Sequence, residues 1–183
     1  MMVKDNEARK KMPASDYVLG LRDRIGHDLL LLPAVGIVAF KDSRRDAVLL
    51  VKHSDANKWV LPGGAIEPDE LPADSAVREM WEETGLYVRP CRVIGVYGGP
   101  ELRVTYSNRD VVSYTMIAFE AEIVSGKLKP DLEETLDLEY FTLAEVERLD
   151  SPRWLYKVLR DAFAGETETF FQKTSWEPNK SDL

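Results

Sequence analysis

The stretch from Pro72 to Thr84 constrains this chain more than any other. Its one proline stands at the start, where a missing N–H costs a helix nothing, and no glycine interrupts it before Gly85. The spacing predicts a helix over 72–84. At ~100° per residue, Glu79, Glu82 and Glu83 fall at i, i+3 and i+4 and share a face. Ala73, Val77, Met80 and Trp81 project from roughly the opposite side, their centre about 140–150° away. The expectation is a helix with an apolar face toward the core and three carboxylates facing outward.

Carboxylates at that spacing repel one another by a few tenths of a kcal/mol even in water. A hard divalent cation reverses the cost, because Mg²⁺ takes oxygen ligands and commonly bridges carboxylates to substrate phosphates. Gly63-Gly64 lets backbone approach such a site closely and could add a carbonyl ligand. Arg78 keeps its charge and can clamp a carboxylate or phosphate with paired bonds. Taken alone, three acidic residues read first as a solvated helix face beside an ordinary glycine turn.

Charge narrows the partners. Lys and Arg total 24 against 32 Asp and Glu, a formal net charge of −8. That balance argues against a nucleic-acid binder, which needs clustered cations on phosphates. It leaves room for a small anionic substrate, since a bound cation inverts the local sign. With 183 residues and 44% hydrophobic composition, one domain with a sizeable core is expected. Cys91 is the lone cysteine, which fits a reducing compartment and leaves no intrachain disulfide. The longest apolar run, Leu29 to Phe40, is broken by Pro33 and Gly36 and is too short to span a bilayer. No signal-peptide pattern is read, so a cytoplasmic location without membrane contact is expected.

Along the chain, residues 1–16 read as a flexible segment, 17–164 as the domain and 165–183 as a polar tail in which Phe170, Phe171 and Trp176 are docking points. Ser15 or Asp16 would cap a helix ending at Gly26. Ala34–Lys41 and Ala47–Lys52, separated by Asp42 to Asp46, read as a β-hairpin. Strands are expected at Val88–Tyr97, with Pro90 marking an edge or bulge, at Asp110–Val124 and at Leu136–Phe141. Helices are expected at Leu143–Leu149 and Pro152–Phe163. Strands and helices mix irregularly, which predicts a mixed sheet with helices on its faces rather than a regular parallel array.

The acidic helix sits in a longer pattern. Gly64, Glu70, Arg78-Glu79-Met80, Glu82-Glu83 and Gly85-Leu86 fit G-x5-E-x7-R-E-U-x-E-E-x-G-U, with U aliphatic or Met. Its fixed and apolar positions match by chance at on the order of 10⁻⁹ per start position. That pattern is the Nudix box, and the chain resembles a Nudix hydrolase of the bacterial ADP-ribose pyrophosphatase/MutT-like subgroup. Trp59 to Gly64 resembles the family's entry into the box. Glu134 to Phe141 resembles its acidic loop leading into a late strand.

The resemblance implies an α/β (α+β) fold, an α/β/α sandwich around a mixed sheet with the box as loop–helix–loop. It implies a metal-dependent pyrophosphohydrolase in which Glu79, Glu82, Glu83 and the Gly63 carbonyl bind Mg²⁺ or Mn²⁺. Arg78 would hold the glutamates in place and Glu70 would brace the loop against the helix. Glu79 and Glu134 are the two candidates for the base that activates water. Glu134 is favoured, because a metal-bound carboxylate makes a poor base. The substrate would be a small nucleotide, an ADP-ribose-like diphosphate before a (d)NTP. Pro100 falls near a proline that ADP-ribose-cleaving members often carry beyond the box.

Other residues read more quietly. Tyr106, Asn108 and Arg109, in a loop between two strands, could read a base or ribose, or form an ordinary polar connection. Cys91 reads as a packed or inert thiol. His27 and His53 lack metal-ligand spacing, although His53 could line the mouth of the site. Arg22 and Arg24 read as solvated helix charges. The alternative function is a non-catalytic nucleotide-binding Nudix regulatory domain, which would usually have lost box carboxylates. An RNA 5′-end hydrolase is disfavoured by the net charge. A homodimer is left open.

Overall fold

The computed structural model describes residues 15–174 and 176. The flexible segment expected at 1–16 falls, up to residue 14, outside the described residues.

Two sheets form the frame. In the first, β1 (Leu30–Ala39) runs parallel to β6 (Val111–Gly126). The opposite edge of β6 carries β4 (Leu86–Tyr97) and the short β5 (Arg103–Thr105), both antiparallel to it. β8 (Phe170–Phe171) then adds parallel to β4. The second sheet has the order β3-β2-β7, from Lys58–Val60, Val48–His53 and Thr135–Phe141, all antiparallel. Pro90 sits beside a register shift of β4, where a ladder donor is not required.

The expected hairpin between 34–41 and 47–52 does not form. β1 and β2 belong to different sheets, and their only backbone pairing among the described residues is an isolated bridge from Phe40, just past β1, to Val48. The reason lies in their side chains. Ile37, Val38 and Ala39 are all buried, as are Val48 to Val51, so both faces of each strand are covered. Such continuous apolar runs suit strands inside a layered sheet better than a half-exposed hairpin.

Alternate residues of these strands serve two cores. Val35, Ile37, Ala39 and Leu49 pack with Ala76 and Met80 of α2 (Pro72–Thr84). Val38, Val48 and Leu50 pack with Leu155, Val158, Leu159 and Ala162 of α4 (Arg153–Ala164). A helix therefore covers each side, giving the expected α/β/α sandwich around a mixed sheet.

α1 (Asp16–Ile25) is capped by Ser15, whose side chain accepts from Val18 N–H, and ends at Gly26 with φ 62°. Its Arg22 is no solvated charge. It is buried, donating to the carbonyls of Gly26, Asp28 and Val111 and facing Asp110 at 3.5 Å, which ties α1 to β6. α3 is shorter than expected, Leu143–Val146, opened by a reciprocal Thr142–Glu145 capping box. Of the aromatic residues expected to dock the tail, Phe170 stacks on Tyr97 with centroids 5.3 Å apart, whereas Phe171 and Trp176 are exposed. Cys91 is exposed rather than packed. Among the described residues no helix is long and apolar enough to cross a membrane.

Candidate active site

The box helix α2 has the expected ends, with Pro72 in its first turn and Gly85 in the left-handed region. Its rotation differs from the expected one. Ser75, Ala76, Met80, Glu83 and Thr84 are buried, while Ala73 and Trp81 are exposed. Ala76 and Glu83 stand seven residues apart, hence within ~20° on a helix, and both point inward. The three carboxylates thus do not share an outward face. Glu82 is exposed, the Glu79 side chain keeps 12% of its surface and Glu83 only 3%.

The glycine loop explains how Glu83 is tolerated inside. Residues 62–65 run beside β1, with Ile37 donating to the Pro62 carbonyl and Val35 to the Gly64 carbonyl, each at 2.9 Å. Between them Gly63 adopts φ 147° and donates its N–H to Glu83 Oε2 at 2.9 Å. A side chain at Gly63 would strike the Val35 carbonyl, and a Cβ on Gly64 would lie 2.7 Å from Glu79 Cδ. Both glycines are required by close approach, the first to a strand and the second to a carboxylate.

Arg78 gathers the remaining acids. It donates to Glu70 through Nε at 2.8 Å and Nη2 at 2.9 Å, to Glu79 at 2.8 Å and to Glu82 at 3.2 Å. Glu70 also accepts from Glu67 N–H, bracing the loop on the helix. The guanidinium holds the Glu70 carboxyl down at about 2. Burial acts the other way on Glu79, raising its pKa against the pull of Arg78. Burial raises Glu83 well above the ordinary range, and the nearby Glu79 charge adds to this.

Glu134 comes from the loop before β7. The Asp131 carboxylate accepts from the N–H groups of Glu133, Glu134 and Thr135 at 2.8–3.0 Å, and Ser54 N–H donates to the Glu134 carbonyl at 2.7 Å. Burial, then the charge of Glu79, pushes the Glu134 carboxyl up to about 7.

Gly63, Glu79, Glu82 and Glu134 line one cleft of ≈ 530 Å³. Glu83 is not among the lining residues but bonds Gly63, which is. The other part of the lining is apolar and aromatic, including Leu32, Val104, Tyr106, Tyr114, Met116 and Trp154. The Tyr106 and Tyr114 hydroxyls bond to each other at 2.6 Å. Of the three residues expected to read a base or ribose, only Tyr106 lines the cleft. Asn108 is spent on the turn, bonding the Asp110 side chain and N–H, and Arg109 is an exposed turn residue with φ 75°. His53 lines the cleft, and burial lowers its pKa. Tyr114, Trp154, Asp55 and Asp131 were not legible as site residues, because no local spacing marks them.

The oxygen donors suit a hard cation. Glu83 strengthens the fit, being a buried carboxyl whose hydrogen-bond partner, Gly63 N–H, is neutral. Among the described residues no three His, Cys, Asp or Glu side chains converge as a ready-made metal cage. The Arg78 guanidinium stands among the carboxylates instead.

Known proteins bear on this arrangement. A family model described as NUDIX domain matches residues 30–162. The chain is 43% identical over 61 residues to diphosphoinositol polyphosphate phosphohydrolase 3-alpha of Homo sapiens, covering 33% of this chain and 37% of that protein. It is 42% identical over 62 residues to a MutT-like protein of Streptomyces ambofaciens, covering 34% and 38%. The chain thus spans little more than a third of the length of these curated relatives. The fold is similar to that of an ADP-ribose pyrophosphatase from Streptococcus suis, with a TM-score of 0.59 and 23% identity over 75% of this chain and 96% of that one.

Proposed function

The chain belongs to the NUDIX domain family, and from that premise we propose that it is a metal-dependent pyrophosphohydrolase. Its substrate is a nucleoside diphosphate joined to a further group, of the ADP-ribose kind before a (d)NTP. The observation that carries this reading is the cleft, whose lining combines Glu79, Glu82 and Glu134 with the apolar and aromatic surface of Val104, Tyr106, Tyr114 and Trp154. The first set suits a cation-bridged diphosphate, the second a flat base.

The same lining disfavours a highly phosphorylated inositol, the substrate type in the name of the human relative. Its lysine and arginine residues are Lys58 and Arg78, and Arg78 is already committed to three glutamates. Such a polyanion needs more cations than that.

In this reading Glu79, Glu82, Glu83 and the Gly63 carbonyl would hold Mg²⁺ or Mn²⁺. When bound, the cation supplies charge stabilisation for the phosphoryl oxygens and the leaving phosphate. The chain's own residues do the rest. Arg78 orients Glu79 and Glu82, and Glu70 orients Arg78. The aromatic wall fixes the base, so the diphosphate lies in one register along the cleft. Glu134 takes a proton from the attacking water. The new P–O bond forms as the bridging P–O bond breaks, and two phosphate-bearing products leave. Glu134 suits the role better than Glu79, which Arg78 holds. We take residues 17–164 as the catalytic unit and the reducing cytosol as its location.

A substrate panel with Mg²⁺ and Mn²⁺ tests the proposal, with phosphate read after phosphatase coupling. Turnover of ADP-ribose-like diphosphates above (d)NTPs is expected. Tight nucleotide binding with no turnover would replace it with a regulatory binding domain.

A further inference from the structure

Two turns from different parts of the fold meet beside the cleft. One joins β2 to β3, with Asn57 at φ 52°, and the other joins β5 to β6, with Arg109 at φ 75°. Ser107 of the second donates through its hydroxyl and its N–H to the carboxylate of Asp55 in the first, the N–H at 3.3 Å. The partners are 52 positions apart in sequence.

What flanks this bridge gives it meaning. Tyr106, the residue before Ser107, lines the cleft and bonds Tyr114. Ser54, the residue before Asp55, donates to the carbonyl of Glu134 at 2.7 Å. Asp55 N–H donates to His53 Nδ1 at 3.2 Å, which steadies the same turn. A continuous path of bonds therefore runs from the aromatic wall through Ser107, Asp55 and Ser54 to the residue carrying the proposed base. Each turn also has local bonds, such as Tyr106 N–H to the Asp110 carbonyl and Arg109 N–H to the Tyr106 carbonyl. Those bonds keep a turn in shape but do not orient one turn against the other.

We infer that Asp55 is a positioning residue that couples the aromatic wall to the Glu134 loop, so that a base held on the wall sets the reach of the Glu134 carboxylate. The inference rests on the proposed role of Glu134. A charge-assisted bond is directional and stronger than a neutral one, and a small misplacement of a reacting group is costly in rate. The coupling acts when the wall is occupied, so it discriminates between diphosphates with a base and those without.

The test uses Ser107→Ala, Asp55→Asn and the double variant, with Ser107→Thr as rescue. For ADP-ribose, Ser107→Ala should lower kcat about tenfold, and Ser107→Thr should restore it. For a diphosphate ester lacking a base, kcat should be unchanged. The two losses should not add in the double variant. With AMP bound, so that the wall is occupied, hydrogen exchange over residues 131–136 should quicken in Ser107→Ala while α2 stays protected. Wild-type exchange there together with wild-type kcat, or additive losses, would overturn the coupling. If the wild-type protein hydrolyses no diphosphate, the functional reading fails by itself, and the exchange measurement still decides whether Asp55 couples the two turns.

Discussion

Gly63 donates its N–H to Glu83 Oε2 at 2.9 Å, joining the glycine loop to the last turn of α2 through a buried carboxyl. Burial raises that carboxyl well above its ordinary 4.5. Its contribution to stability is therefore present below about pH 4.5 and is lost as pH rises toward the folded value. Glu83→Gln keeps an acceptor for Gly63 and removes the buried charge. In chelator at pH 7 it should melt at or above the wild-type temperature, the gap closing below about pH 4. Glu83→Ala orphans the Gly63 N–H and should lose ~1–3 kcal/mol. Thermal melts of both variants check this, and a Glu83→Gln protein melting well below wild type would refute it.

Glu70 carries the opposite sign. Arg78 holds its carboxyl at about 2, below the ordinary 4.5. Its stabilisation is complete above about pH 4.5 and disappears as pH falls toward 2. Glu70→Gln should lower stability at pH 7 and flatten the acid limb of the stability curve. Denaturant titrations between pH 2 and pH 7 measure it, and superimposable acid limbs would count against the Arg78–Glu70 clamp.

Glu134→Gln should lower kcat by about 10²–10⁴ with metal affinity nearly unchanged, the range for a lost general base. The acid limb of the wild-type kcat profile should lie at or below the metal-free value of about 7, because a bound cation lowers a neighbouring carboxyl. The variant should lack that limb. A kcat within a few-fold of wild type at every pH would return the role to Glu79.

Rotation of α2 makes a structural prediction. Met80 is fully buried, whereas Trp81 is 56% exposed. Met80→Asp should cost ~3 kcal/mol or more, and Trp81→Asp within about 0.5 kcal/mol. Equal effects in chemical denaturation would mean the helix is turned differently.

Much of this is legible in the sequence. Pro72 and Gly85 mark both ends of α2, and two of the acids inside it, Glu79 and Glu82, line the cleft. The glutamate face is not legible there, because the apolar Ala73 and Trp81 lie exposed while Ala76 and Glu83, aligned within ~20°, point inward. A buried carboxylate contradicts hydropathy, and only the Gly63 N–H beside it makes its position intelligible. The hairpin failed because strand-forming runs do not state their partners. β1 found β6 across the fold, and no local feature of 34–52 encodes that pairing. The aromatic half of the cleft was half visible. Tyr106 lies in a loop whose polar and aromatic residues mark it, but Tyr114 and Trp154 arrive from distant elements.

The central claim is that the glutamates of α2 hold a cation that makes diphosphate cleavage possible. The direct measurement is ADP-ribose turnover by wild type and by Glu83→Gln, each in Mg²⁺ and in chelator. The account predicts AMP and ribose 5-phosphate from the wild type in Mg²⁺ alone, with Glu83→Gln slower by at least about 10-fold at saturating Mg²⁺ and still folded. Undiminished turnover in chelator, or a Glu83→Gln rate within about threefold of wild type in saturating Mg²⁺, would contradict it.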